Sequence, residues 1–348
     1  MQIGLVARCD HTGLGYQTRA LAEMLNPDVI LLVDSSPFKD LKQYPEWYKK
    51  YKVIVSNGIP GYNEYEKFLK QIDVMVTAET PYVYEAWNWA RMIGVKTVCQ
   101  LNWEFFDGLV QPNMPHPDQY LMPSYWHLED FQQLFPETIY LPPPSLEMPA
   151  TKALNMSRSG KKKFVHIVGS NAIYDRNGWS SLIDAMQEST GDFELHVFSQ
   201  QDMTGLRDKR IIYHISDIND NKELYENFDA LILPRRYGGL CLPMNEALLA
   251  GLPVIMTDIE PNNKILPKQW LLPSYLSSRF EARSTIDVYS PDSLADKLDE
   301  MSKMSDNQML NWKQQAYEIG YDNYSIEKLK PKYMELLTNI VQSEHNKR

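Results

Sequence analysis

At 348 residues the chain is too long for one ordinary core and comfortable for two domains. Its 43% hydrophobic and 11% aromatic content describe a globular chain, and its formal net charge of −10 argues against broad attraction to nucleic acid. The three cysteines, Cys9, Cys99 and Cys241, are odd in number and far apart, which speaks against a disulfide framework or a zinc site and for a reducing, cytoplasmic setting. Met1 leads directly into a strand-like run without a basic, apolar leader, and no apolar stretch approaches the roughly 20 residues a membrane span requires. Peripheral contact with a membrane stays compatible with this. The basic clusters Lys161–Lys163, Arg207–Arg210 and Lys49, Lys50 and Lys52 read as solvated faces or strand entries.

In chain order, Gln2–Ala7 reads as a first buried strand. Gly13 and Gly15 follow just ahead of a helix on which Leu21, Met24 and Leu25 recur at helical spacing. The two glycines form either a tight turn or a place where the backbone comes close to a ligand. Further strands are predicted at Val29–Val33, Lys52–Val55, Val74–Val76 and Lys96–Cys99, and a helix at Val83–Met92 whose Trp87 and Trp89 are packing residues. Asn102 and Glu104 come after the carboxyl end of a strand, an edge that borders the binding crevice in open α/β sheets. Glu104 could take a proton from a hydroxyl, hydrogen-bond a sugar, or form a structural ion pair. A last strand–helix–strand unit spans Gln119–Tyr140, with helix Tyr125–Phe131 opened by Ser124 and carrying a peripheral His127. The proline-rich Leu141–Pro144 and the polar Thr151–Lys163 mark a linker.

The second half starts with a strand at Phe164–Val168, closed by Gly169 and Ser170. Asp175–Ala185 reads as a loop and helix, with strands at Phe193–Phe198 and Arg210–His214 and a short helix at Lys222–Asn227. His166, His196 and His214 fall in or beside strands, at spacings that suggest no metal centre. Ala230–Pro234 is a short, continuous apolar run, which suits a buried parallel strand. Arg235–Leu242 is a glycine-bearing loop; Pro243 is a first-turn residue of the next helix, Glu246 lies on that helix, and Gly251 stands where a left-handed cap is wanted. Val254–Thr257 is the following strand. A strand, a glycine loop and a helix N-terminus together present N–H groups and a positive dipole end to one point, which can hold a phosphate without a metal. After Asp258 loops are expected, then Ser290–Pro291 as N-cap and first residue of a helix bearing Leu294, Leu298 and Met301. Ile326, Leu329, Tyr333, Leu336 and Ile340 make a final amphipathic helix, kinked or interrupted at Pro331.

From Asp229 to Asp258 the chain resembles glycosyltransferases of family 4, which have the GT-B fold. The shared features are Asp229 before an apolar strand, the glycine loop with Gly238 and Gly239, the pair Glu246 and Ala247, and Gly251 followed by Pro253, Val254 and Ile255. Asp175–Ala185 resembles the family's second loop, with Arg176 at its first basic position and Asn177 where a lysine is common. Two further departures stand out. Gly238 occupies the position of a usual second acid, and Asn102 and Glu104 replace a common histidine–aspartate pair.

The resemblance implies an α/β chain of two Rossmann-like domains facing a central cleft. Residues 1–145 would form the acceptor-side domain, 146–162 a linker, 163–322 the nucleotide-sugar domain, and 323–348 a helix crossing back to the first domain. It implies a hexosyl- or pentosyl-transferring enzyme that moves a sugar from a nucleotide-diphosphate donor to a hydroxyl acceptor, with retention and with no metal or permanently bound cofactor. The acceptor would be a glycan, a lipid-linked glycan, a protein or modified DNA. Glu246 would bind the ribose hydroxyls. The N–H groups from Gly239 through Leu240 and Cys241 to Leu242 would bind the diphosphate, together with Arg176 and one of Arg235 or Arg236, while Gly13 and Gly15 would approach the donor. Arginines suit a diphosphate because they offer a permanent charge in a planar fork, although all three could instead pair with nearby acids. A sugar-nucleotide epimerase or hydrolase, a non-catalytic nucleotide-sugar-binding protein, and a transferase acting on hydroxymethylated DNA bases are the alternatives.

Overall fold

Short runs rich in Val, Ile and Leu become parallel strands, and the central ones of each sheet are covered on both faces, the arrangement that continuous apolar runs favour. In the computed structural model, residues 1–106, 114–148, 150, 154, 160–168, 175–200, 207–215, 218, 220–282 and 284–343 are described. The expected strand end at Gly169 and Ser170 and most of the expected linker over 151–163 lie outside them. The chain divides into two units, one of Met1–Leu146 with Ile326–Arg348 and one of Glu147–Ser325.

Unit 1 carries β1 (Ile3–Arg8), α1 (Gly13–Leu25), β2 (Val29–Asp34), α2 (Ser36–Lys39), β3 (Lys52–Asn57), α3 (Tyr62–Leu69), β4 (Val74–Ala78), α4 (Glu85–Met92), β5 (Lys96–Gln100), β6 (Gln119–Met122), α5 (Leu128–Leu134) and β7 (Ile139–Tyr140). Its sheet has the order β3-β2-β1-β4-β5-β6-β7, and every pairing is parallel. The order reverses between β1 and β4. In open α/β sheets the crevice beyond the strand ends at such a reversal is where ligands bind.

Unit 2 carries β8 (Lys162–Ile167), α6 (Trp179–Glu188), β9 (Phe193–Ser199), β10 (Ile211–Ile215), β11 (Ala230–Leu233), α7 (Leu242–Leu249), β12 (Val254–Thr257), β13 (Leu271–Leu272), β14 (Ser274–Glu281), β15 (Thr285–Pro291), α8 (Leu294–Ser302) and α9 (Asp306–Tyr324). Its parallel sheet has the order β10-β9-β8-β11-β12-β13, with the reversal between β8 and β11.

Helix α10 (Ile326–Gln342) belongs to unit 1. Leu329, Tyr333 and Leu337 join the core that holds Leu21, Met24 and Leu25 of α1. The Tyr333 hydroxyl accepts from Gln100 Nε2 at 2.7 Å and donates to the Pro142 carbonyl at 2.9 Å. The helix runs on through Pro331, so the expected interruption is absent.

Several elements differ from the sequence reading. Ser290 and Pro291 end strand β15, and the next helix begins at Leu294. The stretch expected as loops after Asp258 contains the antiparallel hairpin β14–β15. Helix α9 was not anticipated, and the short helix expected at Lys222–Asn227 is a 3-10 turn over Asn221–Leu224. Helices α4 and α5 start later than expected, at Glu85 and Leu128.

Candidate functional site

The loops that leave β8 and β11 flank the reversal in the sheet of unit 2, and two contacts hold them together. Gly178 adopts φ +76°, and a Cβ there would lie 2.1 Å from the Pro234 carbonyl oxygen, so only glycine lets the loops come this close. The Arg236 N–H donates to the Arg176 carbonyl at 2.8 Å. Asn177 turns its amide back to the carbonyls of Ile167 and Val168, at 3.1 and 3.0 Å, and so fixes its loop to the end of β8. Asp175 accepts from the N–H groups of Trp179 and Ser180 at 2.9 and 2.8 Å, satisfying donors at the start of α6.

Each sequence-predicted residue of unit 2 now has a place. The Arg176 guanidinium carbon lies 5.0 Å from the ring centroid of Tyr237. Arg235 is 3% exposed, and its Nε and Nη2 donate to the carbonyls of Tyr237 and Leu240, both at 3.0 Å. It therefore shapes the loop from inside. Arg236 turns toward the hairpin: its Nε donates to the Tyr289 carbonyl at 3.1 Å, and its Nη2 lies 3.2 and 3.4 Å from the hydroxyls of Ser277 and Ser290.

Gly238 adopts φ +111°, and a Cβ there would sit 2.6 Å from Arg235 Nη2. A side chain at position 238 would thus face both an unfavourable backbone and the guanidinium that braces the loop. Arg235 and Gly238 form a matched pair, which gives a physical account of the missing acid.

Among the described residues, the N–H groups of Gly239, Leu240 and Cys241 have no hydrogen-bond acceptor. They precede α7, which starts at Leu242 with Pro243 in its first turn, so these donors and the positive end of the helix dipole belong to one short segment.

Glu246 is 7% exposed on the buried face of α7. It accepts from the Tyr225 hydroxyl at 2.7 Å and from Asn221 Nδ2 at 3.3 Å. Burial pushes its carboxyl up to about 7, against the lowering effect of those two donors. Sequence reasoning missed Tyr225, Asn221 and Tyr237. Tyr225 and Asn221 lie in a different turn from Glu246, and no spacing rule connects them.

Asp229, the residue ahead of β11, is structural. It accepts from the Lys163 N–H at 2.8 Å and from Lys313 Nζ at 2.9 Å, in a pair that is buried on both sides. His166 is buried on β8, its Nδ1 lies 2.8 Å from the Ile232 carbonyl, and burial lowers its pKa to about 4.

Gly13, Gly15 and Glu104 lie in unit 1. Gly13 opens α1, and a Cβ on Gly15 would fall 2.0 Å from the Asp10 carbonyl oxygen, so Gly15 lets the helix start against the loop after β1. The buried Asp10 holds that loop by accepting from Arg8 Nε at 2.7 Å, the Ser35 hydroxyl at 2.6 Å and the Thr12 N–H at 3.2 Å. Glu104 sits in the 3-10 turn Trp103–Phe105 beyond β5. Its neighbour Asn102 donates to Glu79 Oε1 at 3.5 Å. His127 is bonded to Asp130 at 2.7 Å and stacked on Trp103 at 4.6 Å. Among the described residues no group of three His, Cys, Asp or Glu is arranged to hold a metal ion, and no helix is long and apolar enough to cross a membrane.

Residues 157–319 match the family model described as glycosyl transferases group 1. No curated protein matches the chain. The fold is shared with sucrose-phosphate synthase from Thermosynechococcus elongatus, at TM-score 0.66 and 13% identity over 99% of this chain and 100% of that one. It is shared as well with a glycosyltransferase from Rickettsia africae, at TM-score 0.67 and 12% identity over 98% of both chains. Anabaena HepE, solved with UDP and glucose, is similar at TM-score 0.64 and 12% identity over 97% of this chain and 100% of that one.

Proposed function

We propose that this chain, which has the GT-B fold and matches the glycosyl transferases group 1 model over residues 157–319, moves a sugar from a nucleoside diphosphate to a hydroxyl acceptor, with retention and without a metal. The juxtaposition of the loops after β8 and β11, through the Arg236 to Arg176 hydrogen bond and the contact at Gly178, supports this reading. It brings the loop of Arg176 against the loop that carries the Gly239–Cys241 N–H groups and leads into the helix bearing Glu246.

In this reading Glu246 accepts from the ribose hydroxyls. The N–H groups of Gly239, Leu240 and Cys241, the start of α7 and Arg176 take up the negative charge that grows on the diphosphate as the sugar–phosphate bond breaks. Fixed donors of this kind supply the stabilisation a divalent ion would otherwise give. The departing phosphate then accepts the proton of the acceptor hydroxyl on the face it leaves, and the sugar keeps its anomeric configuration. Glu104 is assigned to the acceptor hydroxyl. The three free, buried cysteines agree with a reducing, cytoplasmic setting.

Calorimetry with UDP, GDP and ADP, followed by turnover assays with the matching sugar nucleotides, tests the proposal. UDP and UDP-glucose come first because HepE was solved with UDP and glucose. The wild type is expected to bind one of these diphosphates and to turn over equally with and without EDTA. Arg176→Ala is expected to slow turnover by about a hundredfold, in the range seen when one charge-stabilising donor is lost. Activity abolished by EDTA would assign the phosphates to a metal, and absence of any diphosphate binding would remove the site.

A further inference from the structure

The hairpin β14–β15 contributes none of the residues assigned above to the donor, yet five contacts tie it to Arg236 and Tyr237, the two residues that touch Arg176. The Tyr289 N–H donates to the Arg236 carbonyl at 2.9 Å, and Arg236 Nε returns a bond to the Tyr289 carbonyl at 3.1 Å. Arg236 Nη2 reaches Ser277 of β14 and Ser290 of β15. Finally, Phe280 of β14 meets the Tyr237 ring edge-on, with centroids 5.3 Å apart at 74°. Tyr237 is the ring over which the Arg176 guanidinium lies, and Arg236 is the residue whose N–H holds the Arg176 carbonyl.

Both the backbone and the side chain of Arg176 are thus referred to the hairpin, each through a single intermediate residue. The hairpin itself is anchored from below, since Ile286 and Val288 of β15 are buried while most of β14 is exposed. An edge-to-face contact fixes the plane of an aromatic ring, and a cation over that ring follows its plane.

We propose that the hairpin is a positioning element for Arg176, acting through Tyr237 and Arg236, and that Phe280 sets the ring on which the guanidinium rests. This builds on the reading of Arg176 as a diphosphate ligand and says why the chain carries a hairpin beside that loop. Phe280 is assigned no contact with the donor; its effect reaches Arg176 through the ring of Tyr237.

A double-mutant cycle tests it, with calorimetric affinity for whichever of UDP, GDP or ADP the wild type binds. Phe280→Ala is expected to weaken binding by about three- to tenfold, the size of an oriented cation–π contact. On an Arg176→Ala background the same change is expected to do less than about twofold, because contacts that act through one another are not additive. Phe280→Tyr, which keeps the ring, should retain wild-type affinity. Equal losses on both backgrounds, or no loss on either, would overturn the assignment. If Phe280→Ala does not fold, Phe280→Leu keeps apolar volume while losing the ring edge and carries the same cycle. Should the wild type bind none of the three diphosphates, the site itself is misread and the positioning role falls with it. Binding that is intact and sensitive to Arg176 but indifferent to Phe280 in either form defeats the hairpin proposal alone.

Discussion

Glu246 is an acid buried in α7 beside Asn245 and among Met244, Ala247, Leu248 and Leu249, and its carboxyl is raised by burial to about 7 from an ordinary value near 4.5. Two pH effects of opposite sense follow. For folding, a group whose native pKa is raised stabilises fully below the unfolded value and loses that contribution as pH rises through the native value, here between about 4.5 and about 7. For donor binding, hydrogen bonds from ribose hydroxyls favour the ionised form, so nucleotide affinity is expected to rise from pH 6 to pH 8. In Glu246→Gln both dependences should flatten, by melting curves and by calorimetry at each pH. A pH-independent wild-type affinity would take Glu246 out of the ribose site. The role proposed for Glu246 comes from the resemblance carried by Glu246, Ala247 and the glycine–proline turn, whereas its partners were not legible, since Tyr225 reaches it through tertiary packing. The arginines show the converse. Charge and position suggested a phosphate for Arg235, but carbonyls turned inward by a tight loop need donors, and Arg235 supplies them.

At the scale of elements, Lys313 ties α9 to the strand ahead of the glycine loop. Its ammonium is 2% exposed, bonded to Asp229 and to the Phe228 carbonyl, while Gly320 lets α9 approach α7 so closely that a Cβ would meet the Leu248 carbonyl carbon at 2.4 Å. Asp229→Ala strands that charge and is expected to cost about 3–5 kcal/mol in urea unfolding. Adding Lys313→Met should recover much of the loss, and a double variant no better than the single would show that the pair is not the source. These contacts also explain why α9 was not legible. The residues it buries include Lys313, Ala316 and Gly320, so no apolar stripe advertises the helix. The hairpin was hidden for a related reason: Ser274–Glu281 is exposed along most of its length and lacks the alternation of a half-buried strand. Ser290–Pro291 looks like a helix entry, and proline is just as well tolerated at the end of an edge strand. The parallel strands were legible because burial on both faces leaves little freedom in their composition.

At the scale of the molecule, the sheets and the return of α10 decide which parts can stand alone. Removing residues 326–348 takes Leu329, Tyr333 and Leu337 out of the core of unit 1 and leaves Gln100 without its tyrosine partner. At about 1.5–3 kcal/mol for each of these three side chains, the loss is about 4.5–9 kcal/mol, comparable to the whole stability of a domain. The truncated chain is expected to lose the melting transition of unit 1 and to keep that of unit 2, with limited proteolysis cutting first within residues 1–146. Two intact transitions would show that α10 is dispensable.

The same connectivity has a bearing on biosynthesis. Residues 1–146 leave the ribosome before residues 326–342, yet their core lacks a wall until that helix has cleared the exit tunnel. Residues 147–325 are by then already complete, so the later half of the message encodes the part that can mature earlier, and the opening half must wait in a partly formed state that chaperones would recognise.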